Sequence, residues 1–403
     1  MVGMQRRPLV AVINNALTPY RVALHRRIVR ELPEIELWSL FTHGEGDSRW
    51  TQRPPADINP VEFGTGESAS GGGGPRRHWR EWRKGGRVIR WLDGCGAAAV
   101  VLGGYNDAGR LRVLRWCHAH RVPVFLFGDS NVCDDDARSV GSRGRLKRLL
   151  LPRVLRRCDG VLACGSLGVE YFVRYGVPRD RIFLFPYEPD YAQIANVTAG
   201  EVAAVRARYG LDVARRNVFF SGRLIEAKRP DLLVDAFAAI AAERPDWDLI
   251  IAGTGPLENT LRARLPPGLA GRVRWLGFID DQAALNALYR ACDVLVLPSR
   301  SEPWAVVVNE AVAAGLAVVA SDAVGAAAEL VRDGVNGRVF PSGDLAALVE
   351  CLRDVTAPGR CDTLKSASPA VLADWRRRGD PIRGLRTALA TVGVLYRSGD
   401  AMS

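Results

Sequence analysis

Long apolar runs are missing from this 403-residue chain. No stretch reaches the ~18–20 consecutive apolar residues of a membrane-spanning helix, which excludes a helical membrane bundle. The opening segment MVGMQRRPLVAVINNAL carries a short apolar stretch that ends at Asn14 and Asn15. It is too short for the core of a secretory signal and reads as a first buried strand. Cysteine is sparse. Its eight positions form no C-x-x-C pair, and none has a histidine at zinc-ligand spacing. The pattern reads as reduced thiols of a cytoplasmic protein. The five histidines include none that stands out as partner to a catalytic cysteine. Lysine occurs only at Lys84, Lys147, Lys228 and Lys365, in a chain that otherwise uses arginine, so each lysine is informative.

Acidic residues fall short of basic ones in the first half, which is rich in arginine. Residues 1–190 hold 30 basic against 20 acidic side chains, whereas residues 191–403 hold 25 against 24. A basic half calls for an anionic partner: phosphate, acidic glycan, membrane surface or nucleic acid. The length allows two or three domains of about 100–200 residues.

Short apolar runs alternate with helical patterns. In the first half the expected strands are 9–14, 35–41, 97–104, 122–130, 160–166 and 182–187, with an amphipathic helix over 20–32. The Gly- and Ser-rich stretch between about 45 and 78 breaks the pattern and reads as a loop. The alternation restarts near 215, after the turn-rich YEPDY, with strands 217–223, 247–256, 273–279, 293–299 and 317–322. Helices are expected over 229–243, 281–292 and 306–315. Strands alternating with helices give parallel sheets covered on both faces. The chain is therefore read as α/β, with two doubly wound Rossmann-like domains at 1–190 and 191–374. A helical tail, 375–403, would pack back on the first domain.

Ligands of open parallel sheets sit beyond the carboxyl ends of the strands. Three loops there carry chemistry. In S-R-S-E-P-W-A-V-V-V-N-E (299–310), Glu302 precedes a helix and Glu310 lies within it, ~12 Å apart along the axis. Between them the backbone N–H groups around Trp304, Ala305 and Val306 suit a pyrophosphate. The alternatives are a capping role for Glu302 and an exposed helix position for Glu310. In S-G-R-L-I-E-A-K-R-P-D (221–231), Gly222 permits a sharp turn, and Arg223 and Lys228 can both address one anion. Read alone, this segment is equally a solvated basic turn. A-G-T-G-P (252–256) supplies Gly253 and Gly255 but lacks the third glycine of a dinucleotide fingerprint.

Together, GRLIEAKRPDLLVDAF, IIAGTGP, VRWLGF, ACDVLVLPSRSEPWAVVVNEAVAAGLAVVASD and ELVRDGVNGRVF resemble the C-terminal domain of retaining, family-4-type (glycosyl transferases group 1) glycosyltransferases of the GT-B fold. The resemblance covers about 215–355. It implies an interdomain cleft in which Arg223 and Lys228 hold a donor diphosphate, Glu302 meets the transferred sugar and Glu310 meets the ribose. It further implies hexosyl transfer from a nucleotide sugar to a hydroxyl, with retention and without a bound metal. Position 305, usually glycine in this family, is alanine here; its methyl group would restrict approach of the donor. In the first half, N-N-A-L-T-P-Y-R (14–21) stands where many members carry a glycine-rich turn, making Asn15 and Arg21 acceptor-side candidates. Asp129, in F-G-D-S-N, occupies the neighbourhood of a histidine found in many relatives; a helix N-cap is its alternative role.

The triplet Asp134, Asp135 and Asp136 reads as a solvated acidic turn rather than a metal cluster. RGRLKRLLLPRVLRR (143–157) interleaves seven basic residues with leucine and valine. It suits an anionic membrane surface, placing the protein peripherally on the inner face, and equally suits the solvated side of a core-packed helix. Trp79, Trp82 and Trp91 with nearby arginines fit either glycan stacking or a partly buried helix. A nicotinamide-dependent oxidoreductase would need G-x-G-x-x-G after the first strand, which is absent. No nucleic-acid-binding motif is present, and none is expected as a partner.

Overall fold

Strands buried on both faces need continuous apolar runs, and parallel sheets are built from them. The computed structural model describes residues 7–44, 54–64, 74–105, 107–138 and 141–395. It divides into two units. Unit 1 comprises 1–164, 168–187 and 379–403; unit 2 comprises 165–167 and 188–378.

Unit 1 holds seven parallel strands: β1 (Leu9–Asn14), β2 (Glu36–Phe41), β3 (Pro60–Glu62), β4 (Ala99–Gly103), β5 (Val124–Gly128), β6 (Gly160–Ala163) and β7 (Ile182–Leu184). Their spatial order is β3-β2-β1-β4-β5-β6-β7, so the winding reverses between β1 and β4. The helices are α1 (Pro19–Glu31), α2 (Pro75–Cys95), α3 (Ala108–His120), α4 (Val132–Arg138), α5 (Gly141–Leu155) and α6 (Ser166–Arg174). One core joins alternate strand residues Ala11, Ile13, Val100, Leu102, Val124 and Leu126 to Val88 and Leu92 of α2, Val113 and Leu114 of α3, Leu151 and Leu155 of α5 and Phe172 of α6. Those four helices therefore cover one face of the sheet.

Unit 2 holds β8 (Arg216–Ser221), β9 (Trp247–Ala252), β10 (Val273–Gly277), β11 (Val294–Leu297), β12 (Ala317–Ser321) and β13 (Gly337–Phe340). Their order is β10-β9-β8-β11-β12-β13, with reversal between β8 and β11. The central runs Val218–Phe220 and Val294–Leu297 are fully buried.

Three expectations change. The stretch read as a loop to residue 78 falls partly outside the described residues; its described part contains β3 and the first turn of α2. β3 is a three-residue edge strand opening on Pro60, and α2 opens on Pro75, where a missing N–H costs nothing. The acidic triplet is no solvated turn. Asp135 is buried on α4, accepting from Lys147 Nζ at 2.7 Å and from the Tyr175 hydroxyl at 3.0 Å, while Asp136 pairs with Arg174 at 2.6 Å. Lys147 thereby turns inward and leaves the basic face of 143–157. Lastly, the helical tail is two helices. Arg360–Arg378 ends before Asp380, whose carboxylate accepts from the Arg383 N–H at 2.8 Å and caps a second helix, Pro381–Thr391.

That last helix belongs to unit 1 and lies on β7. A Cβ at Gly384 would stand 1.7 Å from the Leu184 carbonyl oxygen, so only glycine permits this backbone contact. Arg27 of α1 ties it down through Asp380 at 2.5 Å, and Arg386 reaches the Glu31 carbonyl at 3.1 Å. Among the described residues, no helix is long and apolar enough to cross a membrane. Gly384→Ala should cost ~1–3 kcal/mol by overpacking. Gly94→Ala, where a Cβ on α2 meets nothing within 4 Å, should be neutral or slightly stabilising. Urea denaturation of both variants checks the contrast.

Candidate functional site

The reversal between β8 and β11 makes the loops after these strands neighbours at the carboxyl edge of unit 2. Arg300 N–H donates to the Ala227 carbonyl at 2.9 Å, joining the two loops through their backbones. Above that bond, Lys228 Nζ contacts the Glu302 carboxylate. Burial, and after it the Arg223 guanidinium, lower the Lys228 pKa to about 7. Glu302 opposes that shift by favouring the ammonium. Arg223 itself is exposed and makes no ion pair among the described residues. The loop after β9 packs on the loop after β8. A Cβ at Gly253 would lie 1.8 Å from the Gly222 carbonyl oxygen, and one at Gly255 2.4 Å from that of Leu224. These glycines thus let two backbones touch, and Leu224 N–H donates to the Thr254 carbonyl at 3.0 Å across the seam.

Glu302 is pinned by its backbone, whose carbonyl accepts from the Gly325 N–H at 3.0 Å. Trp304 is a buried anchor whose ring lies 5.7 Å from that of Trp375, tilted by 39°. The helix Val306–Ala313 starts from Ala305 with φ 79°, a left-handed conformation that favours glycine. This gives position 305 a backbone reason for glycine, in addition to the room a donor needs. Glu310 is not the exposed helix residue its spacing allowed: it is buried, with Gln282 Nε2 at 3.3 Å and the Tyr289 hydroxyl beside it. Burial raises its pKa, and these neutral neighbours moderate the rise.

In unit 1 the corresponding edge lies at β1 and β4. Asn15 follows β1, and its side-chain oxygen accepts from Arg110, which Asp107 holds in turn. Arg21, in the first turn of α1, donates to the Ala16 carbonyl at 2.6 Å and to the Tyr187 hydroxyl at 3.3 Å. The rings of Tyr20 and Tyr187 flank its guanidinium at 5.7 and 5.6 Å. Burial opposes the Arg21 charge, but Tyr187, Tyr20 and Asp129 outweigh it and keep the group protonated. Asp129 is exposed in the loop after β5. The cap of α4 is Asn131, whose side-chain oxygen accepts from the Asp134 N–H at 2.8 Å, so that role does not fall to Asp129. The structure thus gathers Arg21 and Asp129, and holds Asn15 through Arg110. Tyr187 and Arg110 were not singled out from the sequence. Among the described residues, no group of three His, Cys, Asp or Glu side chains is placed to hold a metal ion.

Residues 215–357 match the family described as glycosyl transferases group 1. The matched stretch lies within unit 2. It contains every donor-side candidate, from Gly222 to Glu310. A lipopolysaccharide core biosynthesis mannosyltransferase, LpsB, of Rhizobium meliloti is 34% identical over 211 residues, covering 49% of this chain and 55% of LpsB. A D-inositol 3-phosphate glycosyltransferase of Mycolicibacterium gilvum is 38% identical over 171 residues, 41% of this chain and 37% of that protein. The chain thus spans about half, or less, of the length of these curated relatives. The crystal structure of Anabaena Alr3699/HepE in complex with UDP and glucose superposes with a TM-score of 0.71 at 18% identity, covering 96% of this chain and all of HepE. The fold is GT-B, with two Rossmann-like units.

Because Ala305 adopts a left-handed backbone, Ala305→Gly should stabilise unit 2 by about 1 kcal/mol. A rise in melting temperature checks it; an unchanged or lower value would mean that the loop relaxes around alanine.

Proposed function

We propose that the protein is a retaining glycosyltransferase that moves a hexose from a nucleotide sugar to a hydroxyl acceptor. The observation that carries this reading is the Lys228–Glu302 contact at the β8/β11 reversal, inside the matched group 1 region. The cation suits a diphosphate and the carboxylate suits sugar hydroxyls, at the edge where open parallel sheets bind ligands. Supporting it, the named relatives transfer sugars to lipopolysaccharide core and to an inositol phosphate, and HepE holds UDP and glucose.

In this reading Arg223, Lys228 and the N–H groups at Ala305 and Val306 receive the negative charge that grows on the departing diphosphate. They carry out that task without a bound metal. The acceptor hydroxyl attacks on the face the diphosphate leaves, and a diphosphate oxygen takes its proton. Glu302 fixes the transferred sugar. Glu310, two turns along the helix, accepts from the ribose hydroxyls. Asn15, Arg21 and Asp129 form the acceptor side. The acceptor is a growing polysaccharide, a lipid-linked glycan or a small natural product, and the compartment is the cytoplasm, where the free cysteines stay reduced. A screen of nucleotide sugars for hydrolysis and transfer tests the reading. Protection against unfolding by NAD or an oligonucleotide, and by no nucleotide sugar, would overturn it.

Two outcomes follow from the residue roles. Lys228→Ala should weaken nucleoside diphosphate binding about 10–150-fold, the worth of a charged hydrogen bond. In the wild type, affinity should fall as pH rises through about 7, since the ammonium that binds the anion is lost above that pH. Lys228→Arg should abolish that decline, which calorimetric titration at several pH values would show. The second outcome separates the glutamates. Glu310→Gln should weaken free nucleotide and nucleotide sugar alike, whereas Glu302→Gln should spare free nucleotide and lower turnover. The opposite pattern in binding and steady-state kinetics would mean that the donor lies the other way round.

A further inference from the structure

Large apolar side chains are scattered singly over most soluble surfaces. Here they are concentrated. Of ten large apolar residues exposed among the described ones, six lie on α2, α3 and α5: Trp79 at 63% exposure, Trp82 at 42%, Leu111 at 41%, Leu146 at 55%, Leu149 at 56% and Leu150 at 47%. These helices cover the same face of the unit 1 sheet, since Val88, Val113 and Leu151 enter one core from them. The six side chains therefore belong to the outer surface of one helical layer. Arginines surround them, with Arg76, Arg83 and Arg90 on α2, Arg115 on α3 and Arg145 and Arg148 on α5, all exposed. Acidic groups on these helices are few: Glu81 is buried on α2 with Lys84, and Asp93 is exposed near its end.

We infer that the outer layer of α2, α3 and α5 docks on an anionic lipid bilayer, with Trp79 and Trp82 at headgroup level and the α5 leucines against hydrocarbon. Charge complementarity selects an anionic surface, because basic residues exceed acidic ones by ten in residues 1–190. The leucines select lipid over an acidic polysaccharide, since three protruding hydrocarbon side chains offer nothing to a hydroxylated, charged chain. Tryptophan prefers the boundary between water and hydrocarbon, and arginine extends its charge outward while its stem lies on apolar surface. Lys147 takes no part, because it faces Asp135 and the rings of Tyr171 and Tyr175. The inference stands apart from the donor chemistry and is read without any nucleotide sugar.

The test is flotation of the full chain with vesicles of phosphatidylcholine alone or mixed with phosphatidylglycerol. At about 0.1 M salt the wild type should float with the anionic vesicles only, and at about 0.5 M its partition should fall at least tenfold. A variant carrying Trp79→Ala, Leu146→Ala, Leu149→Ala and Leu150→Ala keeps every charge, alters exposed positions only and leaves Trp82 under the Arg112 guanidinium at 4.5 Å. It should lose at least about tenfold in partition while its melting temperature is unchanged. As a second readout, brominated lipid should quench part of the wild-type tryptophan emission, and that part should vanish in Trp79→Phe/Trp82→Phe. A wild type that does not float at low salt overturns the inference. So does an apolar variant that partitions like wild type, which would assign the face to a soluble polyanion such as an acidic polysaccharide.

Discussion

A lysine ammonium and a glutamate carboxylate, held together at the one place in unit 2 where the winding of the sheet changes direction, set the terms for everything around them. Neither group is affordable alone in that half-buried position, since an unpaired charge there has lost water without gaining a partner. Backbone contacts on three sides keep the pair in register. Arg300 bonds to Ala227 beneath it, Gly325 holds the Glu302 carbonyl beside it, and Gly253 lets the next loop lie flat against Gly222. In the proposed reaction a diphosphate would compete with Glu302 for Lys228, and the carboxylate released would become free for sugar hydroxyls. Under that proposal one contact would couple capture of the anion to orientation of the sugar.

Unit 1 solves a similar problem with different chemistry. Its cationic group, Arg21, has aromatic rings on two sides and a carbonyl and a hydroxyl as hydrogen-bond partners. Such surroundings hold a guanidinium in place, and the Asp129 carboxylate adds attraction from nearby. Its neighbour His25 is kept neutral, its pKa lowered to about 3 by burial and then by Arg21, and it bonds to Ser39 at 2.7 Å. The one cation presented at this edge by α1 is therefore the arginine, independent of pH across the physiological range.

The fold was legible wherever burial on two faces forces an unbroken apolar run, as in Val294–Leu297. It was illegible where an element is too short to show a period. β3 has three residues, and β13, with four, is recognised only by its partner β12. The donor-side candidates could be read because each lies within a loop of a dozen residues. Arg110 reaches Asn15 across 95 positions and Tyr187 reaches Arg21 across 166, and no local pattern encodes such meetings. The conformation of Ala305 was hidden for another reason: the residue type argues against the backbone it adopts. Asp135 and Lys147 looked solvated because charge in sequence says nothing about which charges find each other inside.

The glycine contact between the Pro381–Thr391 helix and β7 has a consequence for how the protein is made. Unit 1 is discontinuous: its final helix is synthesised only after residues 188–378, the bulk of unit 2, have been added to the chain. On the ribosome the first sheet must wait, with the Leu184 edge of β7 uncovered, while the second sheet is translated and free to fold. The unit begun first is thus completed last.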